Sequence, residues 1–388
     1  MKIIRWFISR KVRMAVAMYR HVGKLLDSQR DILAPQAVQA VQEAITSLRG
    51  AVEQGADAAT LGAQMDKLEK AANKWIKPYP NAGWRENIEV FLVAIAVAMA
   101  IRTFFLQPFK IPTGSLQPTL YGITSTNLLN SDVAIPNVAQ RFFQYWINGV
   151  SYMHVVANSD GALAAVEKPK HFLLFNLSQR FEVGDEWYTV WFPPDDLLQR
   201  AGLAIPGPDH YLHLSQQVFQ KGEDIIKLRI VEGDHLFVNR VTYNFRHPER
   251  GEIIVFKTAG IDYPNVPKDQ FYIKRLVALG GEQVRIGDDQ HLVIDGKRLD
   301  SATPRFENVY SFRPDAGENE YFGHTHLGMF TDSSVEYTVP TNCIMVMGDN
   351  TRNSLDSRFF GGFPEKYVIG KANFVYWPIS SRFGFGYR

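Results

Sequence analysis

The sequence predicts a mainly β protein, with an antiparallel β domain carried behind one membrane-spanning helix and a helical N-terminal region. Three observations carry that prediction. Residues 90–101 read Val-Phe-Leu-Val-Ala-Ile-Ala-Val-Ala-Met-Ala-Ile, without a polar side-chain atom. Upstream of this run the apolar residues recur at helical spacing. Downstream they come in short β-type runs closed by turn residues. With 388 residues, 46% of them hydrophobic and 21% charged, the chain is no disordered polymer and has apolar material for more than one core.

The N-terminal part, residues 1–87, holds fourteen Lys or Arg up to residue 88 against eight Asp or Glu. Residues 2–26 interleave Lys2, Arg5, Arg10, Lys11, Arg13, Arg20 and Lys24 with Ile3, Ile4, Trp6, Phe7, Met14 and Met18. That segment is too charged to span a bilayer and suits a helix lying on its inner face. Next, Val38, Val41, Ile45, Leu48 and Val52 step by three and four, as do Leu61, Met65, Leu68 and Ala72. With Gly55-Ala56-Asp57 between the two sets, this predicts a helical hairpin.

The anchor is placed at residues 88–106, which at ~1.5 Å per residue come just short of the ~30 Å hydrocarbon thickness. An apolar run of twelve also fits a buried core helix, and the basic flank decides between them. Lys67, Lys70, Lys74, Lys77 and Arg85 precede the run while only Arg102 and Lys110 follow closely. The positive-inside rule then puts the N-terminus in the cytoplasm and residues 107–388 outside. A span starting near residue 88 lies too far along the chain for a cleavable signal peptide and reads as a permanent anchor.

Beyond the anchor, His235-Leu236-Phe237-Val238, Glu252 to Phe256, Gln283 to Ile286 and Cys343 to Met347 read as strands, with Asp288-Asp289 and Asp295-Gly296 as hairpin turns. Residues 121 to about 230 form a long insertion rich in aromatics, including Trp146, Trp187 and Trp191, without a chemical motif. A formal charge of +2 argues against a nucleic-acid partner. The single cysteine, Cys343, excludes an intramolecular disulfide and any CxxC motif.

Candidate chemistry falls in three segments. In Ile111-Pro112-Thr113-Gly114-Ser115-Leu116-Gln117-Pro118-Thr119, two prolines frame Ser115, which fits a positioned nucleophile and fits ordinary turn chemistry equally. Gln117 stands where the second glycine of a GxSxG elbow would be. In Tyr272-Ile273-Lys274-Arg275-Leu276, strand alternation puts Lys274 on one face and Arg275 on the other. Lys274 is then either a desolvated base or a plain solvent-facing lysine. Gly348 to Arg358 is dense in polar groups of both signs, which alone describes a solvated loop with an Asp356–Arg358 pair. The histidine pairs His210/His213 and His324/His326 have the spacing to share a metal but lack carboxylate or thiolate company.

Together these segments resemble the bacterial type I signal peptidases, membrane-bound leader peptidases with a Ser-Lys dyad. Ser115 to Thr119 matches the family's Ser-x-x-Pro-Thr box, and Gly233-Asp234-His235-Leu236-Phe237-Val238-Asn239 matches the box that follows it. Tyr272-Ile273-Lys274-Arg275 matches the lysine box and Gly348 to Arg358 the terminal box. The departures are Leu116 in place of the usual methionine, Gly280-Gly281-Glu282 in place of Pro-Gly-Asp, and the length of chain between Ser115 and Gly233. The resemblance implies a membrane-bound serine endopeptidase that removes signal peptides from exported preproteins, with an antiparallel β catalytic domain of signal-peptidase type. It implies Ser115 as nucleophile, Lys274 as general base, and the Ser115 N–H with the Thr113 hydroxyl as oxyanion donors. Ser354 would orient the lysine, and Asp356 and Arg358 would brace the site. No metal or organic cofactor is implied. The partners implied are secretory preproteins, membrane lipid and the secretion translocon, at the bacterial cytoplasmic membrane. Two other readings are a self-cleaving Ser-Lys repressor, which the anchor disfavours, and a catalytically silent membrane scaffold that binds exported proteins.

Overall fold

The computed structural model describes residues 9–77, 82–172, 175–206, 212–311 and 321–385. The chain divides into two compact units, residues 1–96 and 97–388.

Among the described residues the first unit holds three complete helices and the start of a fourth. Helix α1 (Arg10–Gln29) starts at Ser9, whose side chain accepts from Val12 N. Helix α2 (Pro35–Gln54) has proline in its first turn and ends at Gly55, whose left-handed φ of 77° lets the chain reverse. Helix α3 (Ala58–Trp75) is capped by Asp57, which accepts from Thr60 N at 3.0 Å. Val41, Ile45, Leu48, Leu61 and Leu68 close the predicted hairpin, and Val22 and Leu26 of α1 bury in the same core. The basic segment expected on the membrane face is thus, over residues 10–29, the third helix of a bundle. The hairpin leaves an apolar groove that α1 fills, while Met14 stays half exposed. Residues 2–8 of that segment lie outside the described residues.

Helix α4 (Ala82–Phe104) starts six residues before the expected span and ends two before its predicted end. An Arg85–Glu89 pair one turn apart supports its polar start. Its stretch Gly83–Phe104 has a mean hydropathy of 1.8 with no part buried, so among the described residues there is one helix long and apolar enough to cross a membrane.

The second unit is built on an eight-stranded antiparallel sheet. Its strands are β1 (Leu106–Lys110), β2 (His235–Asn239), β3 (Ile253–Lys257), β4 (Phe271–Ala278), β5 (Cys343–Met347), β6 (Phe363–Pro364) and β7 (Val368–Trp377), in the order β1-β2-β7-β3-β4-β5-β6, with residues 384–385 pairing β7. Pro108 is tolerated because β1 is an edge strand and needs no second ladder. In β2 the alternation is clean, with Leu236 and Val238 inside. Ile253 to Phe256 are buried on both faces, as a central strand requires. Between β4 and β5 a smaller four-stranded sheet (283–286, 292–294, 297–298 and 336–338) packs over its own core. There Asp295 and Gly296 take φ of 48° and 75° between the paired Ile294 and Lys297, the tight hairpin that the sequence predicts.

The insertion has a separate core around Phe181, Val183, Leu203, Ile225, Ile226 and Leu228. Its first strand, residues 124–127, pairs with its last, 224–231, so that Thr124 lies opposite Val231. Helix α5 (Val138–Asn148), opened by an Asn137–Gln140 capping box, buries no residue and exposes Phe142, Phe143 and Trp146.

Candidate active site

The Ser115 turn hangs between two pegs. Ile111 is buried and its N–H donates to Asp234 O, while Leu116 and Leu120 are buried in the same core as Leu236 and Val255. Between them Gln117 N donates to Gly114 O, and Leu120 N to Leu116 O. The hydroxyl of Ser115 is thereby fixed at a place set by packing. The Ser115 carbonyl accepts from Asn350 N at 3.1 Å, and the Asn350 amide donates to Gly114 O at 3.1 Å. Among the described residues the Ser115 N–H has no acceptor. Thr113 is exposed.

Strand β4 delivers the lysine. Ile254 of β3 lies opposite Lys274, and the lysine is only 5% exposed. Its Nζ lies 2.6 Å from Ser115 Oγ. Burial pushes the ammonium down from its ordinary 10.5 to about 8; Asp356 and Asp349 oppose this shift and Arg358 adds to it. An amine with that pKa is partly neutral near physiological pH and can accept a proton.

Arg275 projects from the opposite face, as alternation predicts, but into protein and not into solvent. Fully buried, it binds Asp349 through both ends of the fork, Nε to Oδ1 at 2.8 Å and Nη2 to Oδ2 at 2.6 Å. It also donates to Gly251 O and to Thr119 Oγ1, and Thr119 donates to Asp349 Oδ2. Arg275, Thr119 and Asp349 therefore tie the lysine strand, the serine turn and the terminal box into one network. The reading of residues by type misses Arg275 and Asp349. The available signal is an arginine directly after the candidate base, in a strand with no free face.

The terminal box is a buried loop, contrary to the solvated loop its composition suggests. Asp356 and Arg358 are fully buried and joined at 2.9 and 2.8 Å. Burial raises the Asp356 pKa, but Arg358 and the Gly348 N–H outweigh it and hold the carboxyl below the usual carboxylate range. Thr351 joins Arg358 to Thr325. Gly348 is the point of closest approach: a Cβ there would meet Ser354 Oγ at 2.2 Å and Ser115 O at 2.4 Å. Ser354 Oγ is buried beside the Asp356 carboxylate without hydrogen-bond geometry. Its position behind Gly348 brings it close to the serine turn, yet the structure does not link it to Lys274 Nζ.

The histidines take other places. His324 is buried, with Nδ1 3.4 Å from the Tyr310 hydroxyl, and burial followed by Arg358 pushes its pKa down to about 3. His326 Nε2 faces Ile286 O at 3.0 Å. His210 lies outside the described residues.

A protein-family model described as "Signal peptidase, peptidase S26" matches residues 226–377. That range takes in Lys274, Ser354, Asp356 and Arg358 and leaves Ser115 outside. The chain is 30% identical over 148 residues to Signal peptidase I of Leptolyngbya laminosa, covering 38% of this chain and 62% of that protein. It is 31% identical over 147 residues to Signal peptidase I of Bacillus caldolyticus, covering 38% and 71%. To Signal peptidase I S of Bacillus subtilis (strain 168) it is 32% identical over 148 residues, covering 38% and 69%. The chain thus spans under two thirds of the Leptolyngbya laminosa protein and slightly more of the two Bacillus proteins.

Proposed function

The chain belongs to the type I signal peptidase family, and from that premise we propose that it is a membrane-bound serine endopeptidase that removes N-terminal signal peptides from exported preproteins. The observation that carries this reading is the 2.6 Å approach of Lys274 Nζ to Ser115 Oγ inside a buried site that lowers the lysine pKa to about 8.

In the acylation step neutral Lys274 takes the Ser115 proton as Oγ attacks the scissile carbonyl. The C–N bond then breaks and the Lys274 ammonium returns a proton to the leaving amine. Neutral again, the same lysine takes a proton from water as the water oxygen attacks the acyl carbon; the bond from that carbon to Ser115 Oγ then breaks and the ammonium returns the proton to Oγ. The unpaired Ser115 N–H and the exposed Thr113 hydroxyl are the donors for the oxyanion, whose charge exists only after attack. The Arg275–Asp349 and Asp356–Arg358 pairs hold the segments in register. Ser354 packs against Gly348 beside the serine turn and is left without a chemical step here.

In this reading α4 crosses the cytoplasmic membrane with its basic flank inside. The β unit stands outside, where a signal peptide leaving the secretion translocon presents its cleavage site at the membrane surface. Incubating the purified full chain with a model precursor tests the proposal. Wild type releases the mature part and Ser115→Ala does not; cleavage at the wild-type rate by the alanine variant overturns it.

A further inference from the structure

A second polar site lies at the outer end of α4, apart from the dyad. Thr103 and Phe104 of its last turn line a pocket with Arg240, Asn244, Lys257 and Lys366. The floor is fixed: Arg240 N donates to Phe105 O at 3.0 Å, and the Asn239 side chain accepts from Val241 N and Thr242 N.

Three cations share this pocket, and among the described residues none has a carboxylate partner. The acidic groups nearby in sequence are already taken. Glu252 binds Arg246 and Lys371, Glu365 binds His247 at 2.7 Å, and Asp262 binds Lys268. Arg240 makes one side-chain contact, from Nη1 to Gln107 Oε1 at 3.2 Å, which leaves most of its fork open. Like charges held together without a counter-ion repel one another, and an anion that enters is drawn by all three. The partial negative charge at the helix C-terminus is about half a unit and does not offset them.

The height of the pocket identifies the anion. The uninterrupted apolar run of α4 ends at Ile101, so Thr103 and Phe104 stand where hydrocarbon gives way to headgroups. Phe104 is 65% exposed and offers the pocket an apolar lip. A phosphodiester with acyl chains attached matches both features, with its charge among Arg240, Lys257 and Lys366 and its chains along the helix. We propose that this pocket binds the phosphate of an anionic phospholipid headgroup, a site that rests on the reading of α4 as a membrane span and is independent of the Ser115–Lys274 chemistry.

The test uses the full chain reconstituted in phosphatidylcholine vesicles with and without phosphatidylglycerol, then extracted in mild detergent and weighed intact by native mass spectrometry. Wild type should retain phosphatidylglycerol and no phosphatidylcholine. The triple variant Arg240→Gln, Lys257→Gln, Lys366→Gln should lose that retention by roughly 10²-fold, at about a factor of five per cation. Replacing three exposed residues elsewhere, Lys168→Gln, Lys170→Gln and Lys297→Gln, should leave it unchanged. Equal loss in both triple variants would reduce the effect to net charge and overturn the site. Displacement of the lipid by millimolar inorganic phosphate would overturn the lipid assignment. Alkaline extraction separates the premises: a wild-type chain washed from the vesicles overturns the span and this site with it. A firmly inserted chain without lipid preference overturns the site alone. Cleavage of a precursor by the triple variant in detergent reports on the dyad separately.

Discussion

The sheet that carries Lys274 and the insertion at residues 121–230 use the same strand geometry with opposite chemistry. The sheet takes charge inside: Lys274, Arg275, Asp349, Asp356 and Arg358 are all buried. The insertion has an apolar core of its own and turns aromatic groups out, Phe142, Phe143 and Trp146 on α5 and Trp191 and Phe192 beyond it. Buried charge is costly unless each group is paired, and here the ionised groups are paired while the lysine is pushed toward neutrality. That cost is borne around the close approach of Lys274 to Ser115. Exposed aromatics cost the fold little and mark a surface.

The contrast can be broken most sharply at the dyad. Ser115→Ala should abolish cleavage with circular dichroism and Tm unchanged, and Lys274→Arg should be as inactive as Lys274→Ala despite keeping the charge. An active arginine variant would remove lysine as the base. Next comes the pairing itself. Asp349→Ala leaves Arg275 buried without its anion and should destabilise the chain by about 3–5 kcal/mol in denaturant titration. A loss under about 1 kcal/mol would show that the network is ornamental to stability.

A smaller effect is expected at the oxyanion. Thr113→Val should lower kcat by ~10² to 10³ and Thr113→Ser only slightly, whereas equal rates exclude Thr113 from the chemistry. On pH, kcat/KM should rise through about 8, where Lys274 loses its proton, and peak on the alkaline side. Because this pKa is depressed on folding, between about 8 and the ordinary 10.5 the unfolded chain binds a proton that the folded chain has released. The contribution of Lys274 to stability is therefore full above that window and lost as the pH falls through about 8. A flat rate profile from pH 6 to 10 would contradict the lysine mechanism. The smallest effect belongs to the insertion: Phe142→Ser with Trp146→Ser should leave stability within about 0.5 kcal/mol per site. A large loss would mean that α5 is packed after all.

How far the sequence could be read follows from the range of each interaction. The α4 helix and the antiparallel sheet are legible because an apolar run and a two-residue alternation are local patterns. That Lys274 and Arg275 take opposite faces is legible for the same reason, but not which of the two faces is buried. The partner of Arg275 is not, since Asp349 lies 74 positions away and nothing local distinguishes a paired arginine from a solvated one. The burial of Asp356 and Arg358 is hidden likewise, because two charges two residues apart look like a surface loop until the strands around them are assembled. Over residues 10–29 the charge is the conspicuous local pattern, while the packing of Ala15, Val22 and Leu26 into the hairpin core depends on partners further along the chain.

The pairing of Thr124 with Val231 has a consequence for how the chain finds its fold. Ser115 and Lys274 are 159 residues apart in sequence, and closing so long a flexible loop is slow and entropically unfavourable. Once the insertion has formed around its own core, its two ends lie one strand spacing apart, roughly 5 Å. The chain between serine and lysine then behaves as a much shorter tether, with more than a hundred residues removed from the search. A segment attached in this way can lengthen, shrink or diversify over evolutionary time while Ser115 and Lys274 keep the same effective distance along the chain.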